Sequence, residues 1–82
     1  MFENMTQIIL DVSEDEAPVP LQRAINSLSS IDKNTYIKFI HRMRPCLLFD
    51  VLDKGGYSYE IDDSGEQYIV YIYKDPNELF RT

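Results

Sequence analysis

The 82 residues allow one small domain, with a core large enough to fold alone and no room for a second. A hydrophobic fraction of 44% and a charged fraction of 27% are those of a soluble globular chain, and no apolar run approaches the roughly 20 residues of a membrane span. With 14 Asp and Glu against 8 Lys and Arg, the formal net charge of −6 repels a phosphate backbone on average and disfavours nucleic acid as a partner.

Residues MFENMTQIIL carry no cationic segment ahead of their short apolar run and no small-residue cleavage site, so a secretory signal is not expected. One cysteine, Cys46, can form neither an intramolecular disulfide nor, by itself, a structural zinc site. Both features lead to the expectation of a cytoplasmic protein.

Gln7 to Val12 predicts a first strand whose nearly continuous apolar run suits burial on both faces or a place in the middle of a sheet. Ser13 to Ala17 is an acidic loop, and Pro18 suits the first turn of a helix, where its missing N–H costs nothing. Glu14, Asp15 and Glu16 sit where negative charge complements the partial positive charge of the helix start. Leu21, Ala24, Ile25 and Leu28 follow the i, i+3, i+4, i+7 spacing of one apolar face, and Ser29 and Ser30 end the helix. After a polar turn at Asp32 to Asn34, Thr35 to Ile40 predicts a second strand, with Thr35, Ile37 and Phe39 on one face and Tyr36, Lys38 and Ile40 on the other. A helix joining two strands implies that they run parallel, with a right-handed crossover.

His41 to Arg44 is a cationic loop, Pro45 again suits a first turn, and Leu47, Leu48, Val51 and Leu52 form the expected core stripe of a second helix ended by Gly55 and Gly56. Tyr57 to Asp62 and Glu66 to Tyr73 alternate as the two strands of a hairpin turning at Asp63, Ser64 and Gly65. Pro76 breaks the pattern and leaves Asn77 to Thr82 as a tail able to dock through Leu79 and Phe80. The order βαβαββ closes most simply as an α+β two-layer sandwich, a four-stranded mixed sheet with both helices on one face. Its expected core is Leu21, Ile25, Leu28, Ile37, Phe39, Leu48, Leu52, Ile61 and Ile69. Tyr71 and Tyr73 fall opposite Tyr68, Val70 and Ile72, so aromatic surface is expected on the side without helices. It reads first as a solvent face, next as a homodimer contact, and last, given the charge, as a base-stacking platform.

Asp11-Val12 at a strand end, Pro18-x-Pro20-Leu21 leading into helix one, His41-Arg42-x-x-Pro45 leading into helix two and Leu52-x-x-x-Gly56-Tyr57 after it together carry a resemblance. Over nearly all of Ile8 to Lys74 the chain resembles the TusA-like sulfur-carrier superfamily, and more closely the bacterial domain-of-unknown-function family 2249 within it. The resemblance implies the same two-layer fold. In the true carriers a cysteine before the proline of helix one holds a persulfide, and the matching position here is Ala17. Some members of the unknown-function family look like partners of, or fusions with, hemerythrin-like iron proteins, which implies a redox-related setting without a defined reaction.

The candidate binding residues are His41, Arg42, Arg44 and Cys46, grouped near the start of helix two, where no acidic residue stands just ahead of the helix amides. Arginines beside such a start can hold a small anion or an acidic partner surface through charge-assisted hydrogen bonds. The plainer alternative pairs them with Glu14, Asp15 and Glu16, because the loops after parallel strands one and two emerge at the same edge. His41 reads either as a loop histidine bonded to backbone or, with Cys46 and Asp11 or Asp15, as a metal ligand, though the spacing matches no established metal motif. Cys46 in the first turn of helix two reads either as a thiol or persulfide site favoured by the helix dipole and the arginines, or as a buried small residue. No Ser/His/Asp set, phosphate-binding glycine loop or supported carboxylate pair is present, so a non-enzymatic module without a cofactor is expected.

Overall fold

The computed structural model describes residues 4–16 and 18–74. The elements are β1 (Thr6–Asp11), α1 (Val19–Ser27) followed by a 3-10 turn at Leu28–Ser30, β2 (Thr35–His41), α2 (Cys46–Gly55), β3 (Ser58–Asp62) and β4 (Tyr68–Tyr73). They form one four-stranded sheet in the order β1-β2-β4-β3. β1 and β2 are parallel, while β4 is antiparallel to both of its neighbours, so the fold is the expected mixed-sheet α+β sandwich.

Strand alternation sends Ile8 and Leu10, Ile37 and Phe39, and Val70 and Ile72 to one face of the sheet. Both helices cover that face, and Ala24, Leu28, Leu48, Phe49 and Leu52 close a single core with it. On the opposite face the cross-strand rows are Ile9, Lys38, Tyr71 and Glu60, then Asp11, Ile40, Ile69 and Asp62. Tyr36 lies on this side and donates a 2.7 Å hydrogen bond to Gln7 Oε1.

Five details differ from the sequence expectation, each for a geometric reason. β1 is an edge strand and not a central one, and its Ile9 is 61% exposed on the face away from the helices. α1 buries Pro20 and Ala24 in line with Leu28 of the turn that follows, so Ile25 turns outward and is 38% exposed. α2 is rotated about its axis so that Leu48, Phe49 and Leu52 face inward and Leu47, 67% exposed, does not. Ile61 points to the helix side, but β3 lies at the sheet edge beyond full helix cover and leaves it 41% exposed. Ile69 sits on the helix-free face and is half-buried.

Each helix is preceded by proline, with Pro18 and Pro45 as the N-caps and no side-chain capping bond at either. α2 ends on Gly56, whose φ of 76° is the left-handed conformation that glycine adopts without strain. The expected docking of Leu79 and Phe80, and the position of Ala17, lie outside the described residues. Among the described residues no helix is long and apolar enough to cross a membrane.

Candidate functional site

The carboxyl ends of β1 and β2 emerge side by side, Asp11 pairing with Ile40, and each gives way to a loop and then a helix. A cleft of about 290 Å³ opens between the two helix starts. Pro18, Pro20 and Leu21 form one wall, Phe39 and His41 the floor, and Met43 through Leu48 the other wall. The cleft lies at the carboxyl ends of the two parallel strands, on the face that both helices cover. Its lining is mostly apolar, with His41, Arg44 and Cys46 as the residues that carry polar side-chain groups.

Met43 and Leu47 stand at the cleft with about two thirds of their surface in water. A rotation of α2 that buries Phe49 against the hairpin sends Leu47 toward the cleft instead of the core. Exposed apolar residues scattered singly need no explanation, but two of them at the mouth of an apolar cleft make a contiguous patch.

The structure brings three of the four candidate residues, His41, Arg44 and Cys46, to this cleft. Cys46 is exposed at the first position of α2, not the buried small residue of the alternative reading. Arg42 faces the neighbouring loop, where its Nη2 donates to the Asp15 backbone oxygen at 3.4 Å. The acidic and basic loops therefore meet at one edge as expected, but through a backbone carbonyl. Asp15 gives its carboxylate to Arg23 of α1, 2.7 Å away, and that is the ion pair recorded among the described residues.

Arg44 bends over α2. Its guanidinium lies 5.1 Å from the centre of the Phe49 ring and donates to the Tyr68 hydroxyl at 3.2 Å. Phe49 in turn stacks on Tyr59, with ring centres 5.0 Å apart. Burial, and then the nearby Asp53 carboxylate that accepts its hydroxyl proton, push the Tyr59 phenol above its ordinary value. Phe49, Tyr59 and Tyr68 were not singled out from the sequence as neighbours of the basic loop. The signal available was the apolar run Cys46 to Phe49, which leaves the inward face of α2 ambiguous by one residue.

The two arginines thus engage different elements, and the first amides of α2 are used locally. The Cys46 N–H donates to Arg44 O and the Leu48 N–H to Pro45 O, both at 3.0 Å. His41 is buried at the end of β2, and its ring stacks on Phe39 with centres 6.0 Å apart. Its Nδ1 accepts the amide of Arg42 at 2.7 Å and that of Met43 at 3.1 Å, the backbone-bonded role anticipated for a loop histidine. Burial, and then the Arg42 charge, hold its pKa below the ordinary 6.5, with Asp15 pulling weakly the other way. Among the described residues no three His, Cys, Asp or Glu side chains gather into a metal-binding group.

Comparison of the chain with known protein families, with characterised proteins and with solved structures gives no match.

Proposed function

We propose that the protein is a non-enzymatic binding module that docks an acidic partner segment through one apolar anchor residue seated in the cleft between the starts of α1 and α2. The observation that carries this reading is the union of an apolar cleft, the exposed Met43 and Leu47 at its mouth and the basic loop beside it, in a chain of net charge −6. A volume of about 290 Å³ falls just short of the roughly 300–1,000 Å³ of pockets that enclose a drug-sized ligand, which favours part of a larger partner. Arg42 and Arg44 add local positive charge, which selects acidic flanks and raises the association rate more than the affinity. The βαβαββ order with both helices on one face supports membership of the TusA-like superfamily within this proposal. The cytoplasmic setting inferred from the lone cysteine belongs to the proposal as well.

The test is a fluorescence titration with a labelled acidic peptide, one phenylalanine flanked by glutamates, beside the same peptide with lysine flanks. Saturable binding of the acidic peptide, weakened at least ten-fold by Leu47→Ser and by added salt, is the expected result. Equal binding of both peptides, or binding indifferent to Leu47→Ser, overturns it.

The exposure of Cys46 on the same cleft favours one second reading, a thiol carrier or redox protein. Modification of the folded protein by a disulfide reagent near neutral pH separates the two. A rate well above that of a free cysteine peptide supports the carrier, and a rate at or below it removes that reading.

A further inference from the structure

Three strands end on the same local device. Asp11 Oδ1 at the end of β1 accepts the amide of Ser13 at 3.0 Å, and Asp62 Oδ1 at the end of β3 accepts that of Ser64 at 3.1 Å. At the end of β2 the acceptor two residues back is His41 Nδ1, which takes the Met43 amide and that of Arg42 as well. Such side-chain acceptors satisfy backbone donors where the ladder stops and so hold the first residues of a loop. The two aspartates keep their acceptor lone pairs until the acid range. A histidine does not, because a charged imidazole donates from both nitrogens and accepts at neither.

The loop held by His41 builds the site. Met43, Arg44 and Pro45 line the cleft, and the carbonyls of Arg44 and Pro45 receive the first amides of α2. Loss of the His41 acceptor deprives both amides of their partner, and the loop regains one by turning them to water.

We propose that His41 is a proton-released latch, holding residues 42–45 in the cleft-forming conformation when its Nδ1 is unprotonated and releasing them when that nitrogen is charged. Its effect on partner binding rests on the docking reading above, while the latch itself does not. Arg42 and Arg44 lie on its own loop, Asp15 comes from the loop before α1, Tyr68 is its register partner on β4, and α2 contributes Cys46 to the same cleft. α1 presents only Pro18, Pro20 and Leu21 there. The charges acting on the ring are therefore one cation, Arg42, against one carboxylate, Asp15, so no local anion cluster holds the proton on.

The chain has one histidine, so its ring nitrogens are identified without ambiguity in a ¹⁵N-labelled sample of the full chain. Between pH 8 and 5, the expected result is a neutral ring with its proton on Nε2 at the upper end. The protection factors of the Arg42 and Met43 amides then fall at least ten-fold, with the same midpoint as the ring. His41→Asn keeps a non-titrating acceptor at the same place, and in it the two amides stay protected throughout. The phenylalanine-centred acidic peptide loses affinity at least five-fold across the same midpoint in the wild type and not in His41→Asn. Should His41→Asn fail to fold, the wild-type titration alone decides.

Ring titration that leaves both amides protected overturns the latch, as does a proton found on Nδ1 at pH 8. Amides that follow the ring, in a protein that binds no peptide at any pH, establish the latch and remove the docking reading. Peptide binding with unmoved amides does the reverse.

Discussion

The ends of β1 and β2 are built alike and finished differently. Each closes on a side-chain acceptor, passes through a short charged loop and a proline, and starts a helix. At β1 the finish is self-contained, since Asp11 is bonded twice by Ser13 and Asp15 is bonded by Arg23. At β2 the acceptor is a histidine, and the loop is basic. The residues beyond it, Met43, Cys46 and Leu47, face water. The difference shows what a structural helix start looks like beside one with surface to spare, because Ser13 and Arg23 engage Asp11 and Asp15 at the first while the second leaves apolar area uncovered. Leu47 stays in water because the rotation that would bury it would take Phe49 out of its packing against Tyr59 and Tyr68.

The comparison breaks most visibly on two adjacent leucines of α2. Leu48 is 2% exposed and Leu47 67%. Leu48→Ala should therefore cost about 2–5 kcal/mol in a urea titration, from lost burial plus the cavity left behind. Leu47→Ser should change stability by no more than about 0.5 kcal/mol while removing peptide binding. Similar stability losses at both positions would show that the second helix start is as structural as the first.

Acid titration sharpens the same comparison through the two strand-end acceptors. Because folding holds the His41 pKa below its unfolded value near 6.5, protons bind the unfolded chain more tightly. The stability due to the neutral ring is complete above pH 6.5 and falls as the pH drops, until the folded ring is also charged. Asp11 is held below its ordinary 3.8 first by the Ser13 hydroxyl and then by the Ser13 amide, so its contribution is complete above that value and is lost at lower pH. Thermal melts should accordingly show the β2 loss first on acidification, absent in His41→Asn, and the β1 loss only in the carboxylate range. A His41→Asn protein whose melting temperature falls between pH 7 and 5.5 as steeply as the wild type would refute the assignment.

The architecture was legible because strand and helix periods differ and because the segments are short and well punctuated. TYIKFI alternates, and its residues Ile37 and Phe39 face the core as expected, while Tyr36 is buried on the other face. Helix rotation was less legible. In CLLFDVL, the stripes through Leu47 and through Phe49 fit the same period, and only packing against Tyr59 and Tyr68 selects the second. In α1 the inward role of Pro20 was hidden because a proline near a helix start is expected for backbone reasons alone. At the site, the meeting of the two loops followed from parallel topology. The partners of each arginine did not, since long side chains choose among carboxylates, carbonyls and ring faces by distances that no linear spacing encodes.

The smallest effect concerns the ion pair that makes the first loop self-contained. Arg23 and Asp15 lie 2.7 Å apart with side chains 48% and 31% exposed, so water and salt screen most of their attraction. Arg23→Gln should lower stability by less than about 1 kcal/mol at low ionic strength. The difference from wild type should vanish in about 1 M salt, where the Debye length is about 3 Å. The variant also frees the Asp15 carboxylate, whose backbone oxygen already receives Arg42. If the basic loop is committed to a partner, Arg42 keeps its carbonyl bond and peptide binding is unchanged. If the arginines of the second loop exist to neutralise the acids of the first, Asp15 captures Arg42 once Arg23 is gone, and acidic-peptide binding falls with it. Titrating the Arg23→Gln variant with the acidic peptide therefore separates a loop that serves a partner from one that serves its neighbour, at a position outside the cleft where the fold is barely disturbed.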